Sequence, residues 1–80
     1  MNNDLLDNIE KIHTTELGIV RLKRNLELET NVVLNWCKKE IKKSNKISKK
    51  GKNWYVSCEG FIITVNAKSY TIITAHKNKL

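Results

Sequence analysis

Two histidines, His13 and His76, and two arginines one helical turn apart, Arg21 and Arg24, hold the proton and phosphate chemistry this sequence can offer. Metal-independent RNA cleavage needs a base for a 2′-hydroxyl proton, an acid for the leaving oxygen, and a cation for the charge that builds on phosphorus. Imidazole serves both proton roles because its unperturbed pKa of about 6.5 is close to working pH. The catalytic candidates are therefore His13, His76 and Arg24. Each has a plainer reading: His13 falls at a junction between helices and His76 at a strand end, where a histidine serves equally as a surface or capping residue. Arg21 with Arg24 suits a phosphate clamp as well as a solvated helix face.

A second set of residues points to an anion. Lys49, Lys50, Lys52, Lys68 and Lys77 fall in turns or at strand ends, and Tyr55 and Tyr70 offer aromatic surfaces on which bases stack. Arg21, Lys50, Lys52, Tyr55, Lys68, Tyr70 and Lys77 form the expected anion-binding set. Trp36 and Trp54 read instead as core anchors between helix and sheet. Other chemistries find no support: the chain has no glycine-rich phosphate loop and no paired-carboxylate constellation. Cys37 and Cys58 make no CxxC pair and have no histidine at zinc spacing, so no metal and no cofactor is expected, and both read as small buried hydrophobes.

Charge sharpens the anion reading. Residues 1–30 carry six acids and four bases, whereas residues 31–80 carry two acids and eleven lysines, for a net +7 over the chain. A lysine-rich half fits a polyanion, whose counterions are released on binding, and also fits an acidic protein surface. Solubility, or AT-biased coding in a chain rich in Asn, Lys and Ile, explains the same lysines without any partner. No stretch approaches the ~18 apolar residues of a membrane span, and the start Met1-Asn2-Asn3-Asp4 is acidic where a signal peptide is basic, so no membrane partner and a cytoplasmic location are expected.

The elements that must position these residues follow from periodicity. A chain of 80 residues makes a single domain. Leu5, Leu6, Ile9 and Ile12 predict a first helix over residues 4–12. Thr14 or Thr15 caps a second over 15–25, with Leu17, Ile19, Val20, Leu22 and Leu26 on its apolar arc, Arg21, Arg24 and Asn25 opposite, and Gly18 at a close helix crossing. Thr30 caps a third, in which Val33, Leu34, Trp36, Cys37 and Ile41 are buried and Lys38, Lys39, Lys42 and Lys43 wet. Helices thus occupy residues 4–43, a basic linker or edge strand 44–52, and a sheet 53–76. Three β-rich runs, 54–58, 61–65 and 70–75, are joined by a two-residue turn at Glu59-Gly60 and a four-residue turn over 66–69, which reads as a meander. Trp54, Val56 and Cys58 should face the helices, and Tyr55 and Ser57 should face away. The expected class is α+β: two to three helices on one face of a three- to four-stranded antiparallel sheet.

The blocks IHTTELG (12–18), KGKNWYV (50–56) and ITVNAKSYTIITAHK (63–77) resemble a family of small bacterial and phage-borne proteins known only as a domain of unknown function. The match spans nearly the whole chain and implies no activity. Element order, with a histidine, an arginine and a terminal strand in place, is more distantly similar to the barnase, colicin and RelE-type ribonucleases, an analogy of fold alone. Three readings stand: an RNA-directed, toxin-like ribonuclease or its RNA-binding relative; a phage-encoded inhibitor that lays its lysines on the nucleic-acid channel of a host defence enzyme; and a pocket for an anionic nucleotide at a helix–sheet or homodimer contact, using His13, Arg21 and Tyr70. An edge strand at 44–49 or 70–75 would suit a homodimer.

Overall fold

A computed structural model of the protein describes residues 4–29 and 32–77. The elements run α1 (Asp4–Asp7), a 3₁₀ turn (Ile9–Lys11), α2 (Glu16–Leu26), α3 (Val33–Lys42), then β1 (Lys46–Lys50), β2 (Asn53–Cys58), β3 (Phe61–Asn66) and β4 (Ile72–Lys77). All strands are antiparallel to their neighbours, in the order β1-β2-β3-β4. The class is α+β, as the patterning predicts.

Period-two alternation decides the faces of the sheet. Trp54, Val56 and Cys58 of β2 are buried, while Tyr55 is exposed. Their partners Ile63, Val65, Ile72 and Ala75 complete the inner face. Against it lie Leu22 and Leu26 of α2, Val33, Cys37 and Ile41 of α3, and Leu5 and Ile12 from the N-terminal segment. Side chains near the ends of this layer close it: Trp36 stacks on Phe61 at 5.3 Å and Trp54 meets Tyr70 at 5.2 Å. Trp36 is half-buried, so Trp54 is the stronger core anchor.

Several local expectations are corrected. The first helix breaks at Asn8 into α1 and the 3₁₀ turn, since so short an amphipathic stretch takes its shape from the packing of Leu5 and Ile12. Leu17 and Val20, expected in the core, are 70% and 55% exposed, because α2 packs mainly on β4 and α3 and its buried stripe is narrow. Asn25 does not join the arginines but donates its side-chain amide to the Ala75 carbonyl at 3.0 Å. At Gly18 a Cβ would fall 2.0 Å from the Thr14 hydroxyl, so this glycine makes room for the helix's own capping segment and not for a second helix. Thr15 caps α2, accepting from the Gly18 N–H at 3.0 Å. Val32 holds the N-cap position of α3; Thr30 lies outside the described residues.

The sheet also extends further than its apolar runs. Segment 44–52 contains a true edge strand, β1, whose Ile47 pairs with Val56. The final strand begins at Ile72, two residues later than the apolar run suggests, because Tyr70 takes a left-handed backbone (φ 61°) and closes a longer loop over 67–71. Val65 pairs with Ile72 and Thr64 with Thr74, which leaves Ile73 as the extra residue of a bulge. The start of the β4 edge is covered by the chain's own N-terminal half. His13 N–H donates to the Tyr70 carbonyl, Ile72 N–H to the His13 carbonyl, and the Thr14 hydroxyl to the Ile72 carbonyl. The lysine-rich β1 is the other edge.

Candidate nucleic-acid interface

The two turns at one end of the sheet bring the lysines together. Gly51, with φ 59°, makes the tight connection between β1 and β2. Asn66 builds the loop after β3: its side-chain oxygen accepts from the Lys68 and Ser69 N–H groups, both at 2.9 Å, and from the Ser69 hydroxyl at 3.2 Å. The Ala67 N–H donates to the Lys52 carbonyl at 2.7 Å and ties the two turns to each other. Between them lies an open concavity of about 580 Å³ lined by Lys49, Gly51, Lys52, Asn66, Ala67 and Lys68. Lys50 is the next side chain along β1, on the opposite face.

That opposite face carries no helix, since α2 and α3 both pack on the inner one. Register sets its rows: Lys46, Ser57, Ile62 and His76; then Ser48, Tyr55, Thr64 and Thr74; then Lys50, Asn53 and Asn66 at the lysine end. Hydroxyls and amides dominate these rows, and Tyr55 is the exposed aromatic among them. Two residues of strand rise, roughly 7 Å, separate the Tyr55 row from the Lys50 row.

Three acids lie at the other end. Glu59 occupies the β2–β3 turn, Glu40 pairs with Lys43 at 3.0 Å, and Glu27 pairs with Lys77. Lys49, Lys50, Lys52 and Lys68 have no carboxylate partner among the described residues. Among the described residues, the end that carries the concavity thus holds four lysines with no carboxylate paired to them.

His13 sits at this end and braces the loop. Its Nδ1 lies 3.0 Å from the Lys11 carbonyl and its Nε2 2.9 Å from the Thr71 hydroxyl, which lies 2.8 Å from the Ser69 hydroxyl. A carbonyl only accepts, so Nδ1 carries a proton and donates to Lys11. This gives His13 a positioning role. Substituting His13→Ala should speed amide exchange at Tyr70 and Ile72 severalfold and leave β2 and β3 protected, with a stability loss of about 1–2 kcal/mol. Uniform exchange changes across the sheet would contradict it.

The expected catalytic group does not converge. His13 is bridged to Thr71, five residues before His76, so roughly 16 Å of strand separates the two rings, and His76 points to the helix-free face. Arg24 lies near the His76 end, one residue before Asn25, on a helix of the opposite layer. No proton relay joins groups so far apart. Of the anion-binding set, Lys50, Lys52 and Lys68 come together, with Tyr55 on the adjoining face. Tyr70 is held against Trp54 beneath the Lys11 ammonium, 5.7 Å from its ring centre, and Lys77 is taken by Glu27. Arg21 and Arg24 stand exposed on α2. Lys49, grouped in the sequence with the lysines of turns and strand ends but left out of the anion-binding set, also lines the concavity.

Neither thiol is a nucleophile. Burial pushes Cys37 up to about 12, helped by the neighbouring Cys58 and by Glu40, and burial with Glu40 pushes Cys58 up to about 11. No group of three or more His, Cys, Asp and Glu side chains among the described residues is arranged to hold a metal. No helix among them is long and apolar enough to cross a membrane. In comparisons with known proteins, the family model described as "Protein of unknown function (DUF3781)" matches residues 6–76. No curated protein and no solved structure matches.

Proposed function

The chain belongs to this family of unknown function, and on its own geometry we propose that it is a small basic module that binds single-stranded RNA without cleaving it. The observation that carries the reading is the gathering of Lys49, Lys50, Lys52 and Lys68, free of carboxylates, beside a helix-free sheet face that holds Tyr55. The lysines take backbone phosphates, Tyr55 offers a stacking surface within one nucleotide's span, and the hydroxyl and amide rows suit sugar and base edges. The wide separation of His13 and His76 favours binding over hydrolysis.

Fluorescence anisotropy with a short single-stranded RNA over a salt series tests it. Three to four phosphate contacts give a slope of log K against log[salt] of about −2 to −3. Lys50→Gln should lower affinity severalfold and make that slope shallower by about 0.7. Tyr55→Ala should weaken binding by about 1–3 kcal/mol with the slope unchanged. Affinity that ignores salt would end the proposal, and metal-free RNA cleavage lost in His13→Ala would restore the nuclease reading.

One observation favours the protein-binding alternative: α2 presents Leu17 and Val20 to solvent beside Arg21 and Arg24, an apolar and basic stripe suited to an acidic partner. Copurification of a stoichiometric protein that Leu17→Asp releases would support it.

A further inference from the structure

The concavity differs from the open sheet face in kind. It is walled on two sides, by the β1–β2 turn and by the loop after β3, and its volume of about 580 Å³ exceeds what one phosphate fills and suits a nucleotide-sized group. Its polar side chains are all donors. Lys49, Lys52 and Lys68 line it, and a lysine ammonium has no acceptor. Asn66 contributes only its amide N–H groups, because its side-chain oxygen is already engaged by Lys68 N–H, Ser69 N–H and the Ser69 hydroxyl. The Lys52 carbonyl is likewise taken by the Ala67 N–H. Lining carboxylates are absent among the described residues.

The walls are also fixed before any ligand arrives. Asn66 N–H donates to the Thr71 carbonyl at 2.8 Å and Tyr70 N–H to the Asn66 carbonyl at 2.9 Å, so the loop is cross-bonded at its base. The hydroxyls of Ser69 and Thr71 then link it to His13. A preformed pocket wastes little binding energy on ordering its own backbone.

We propose that this concavity is a seat for a terminal phosphomonoester, on the end of an RNA strand or on a free mononucleotide. The inference rests on the RNA-binding reading for its strand form only. Three lysines lining one cavity favour a dianion over a monoanion, since each attraction scales with the ligand's charge. A phosphomonoester carries nearly two charges at neutral pH, whereas the internal phosphodiester carries one. The two walls also suit the end of a chain better than a strand that must continue through both.

Anisotropy and NMR titration of the full-length chain test the proposal with four probes: one RNA 10-mer bearing a 5′-phosphate, the same RNA bearing a 3′-phosphate, the same RNA with hydroxyls at both ends, and a free nucleoside monophosphate. One of the two phosphorylated strands should bind about tenfold more tightly than the hydroxyl-ended strand, the gain expected from one added set of charge-assisted bonds. The monophosphate should shift the amide signals of Gly51, Lys52, Ala67 and Lys68, and the matching nucleoside should not. The double substitution Lys52→Gln, Lys68→Gln should reduce the end-phosphate preference below about twofold. Lys50→Gln, on the other face, should weaken all strands alike.

Equal affinity for phosphorylated and hydroxyl-ended strands, with no shifts from the monophosphate, would overturn the proposal while leaving RNA binding intact. Shifts from the monophosphate at these four amides without affinity for any strand would uphold the seat and remove the RNA reading. A preference that survives the double substitution would place the phosphate elsewhere and overturn the seat.

Discussion

Trp54→Ala is expected to remove about 3–5 kcal/mol of folding stability, the usual range for emptying a buried aromatic site. Trp54 is 6% exposed and lies on the inner face between Lys49 of β1 and Val65 of β3, its ring against Tyr70. Losing it opens a cavity and also deprives Tyr70 of the surface that holds it in its left-handed conformation, at φ 61°. A chain of 80 residues has a total stability of roughly 4–12 kcal/mol, so this single change consumes a large fraction. The melting temperature should fall by about 15–35 °C. Trp36→Ala is the internal comparison. Trp36 is half-buried and stacks on Phe61 near the opposite end, so its loss should cost no more than about half as much. Thermal unfolding followed by circular dichroism orders the two; a larger loss at Trp36 would show that the helix-side core is organised differently.

This ordering was only half legible in the sequence. Strand alternation placed Trp54, Val56 and Cys58 inward and Tyr55 outward, because a buried face permits only one register. Helical periodicity was a poorer guide. It placed Leu17 and Val20 in the core, yet how wide a helix's buried stripe becomes depends on the elements packed against it, and α2 packs mainly on β4 and α3. Tyr70 was read as a strand residue from its type, whereas hydrogen bonds from its N–H to Asn66 and from His13 to its carbonyl hold it in a turn.

The candidate site divides along the same line. Lys50, Lys52 and Lys68 were separable from the other lysines because turn residues flank them, and both turns fall at one end of a meander. Arg24, His13 and His76 were grouped by chemical type alone. Distance along β4 separates the two histidines, and nothing in residue type encodes that distance. Nor does chain order encode the bridge from His13 to Thr71, 58 residues apart, which covers the start of β4, an edge strand expected to offer a dimer contact. The backbone groups a second copy would use at Tyr70 and Ile72 are already engaged within the chain.

Alkaline pH should destabilise the fold through its two thiols. Cys37 is 0% exposed, and burial raises its pKa from the ordinary 9.0 to about 12; Cys58 rises to about 11. A raised thiol pKa means that the folded state holds its proton where the unfolded chain has released it. Stability from the neutral thiol is therefore complete below pH 9 and is lost as pH climbs towards 12. For Cys37 the rise corresponds to about 4 kcal/mol, comparable with the whole stability of a weak domain of this size. Cys58 adds to the loss, but the two neighbouring thiolates repel each other, so their protons leave as a coupled pair. Urea unfolding at pH 8, 9.5 and 11 provides the measurement. Charge changes elsewhere are shared by the wild type and Cys37→Ala, so the difference between the two curves isolates the thiol. Cys37→Ala should be less stable at pH 8, where its cavity dominates, and should recover much of that deficit by pH 11. Parallel curves would refute the assignment, as would alkylation of native Cys37 at pH 8 as fast as in the urea-unfolded chain.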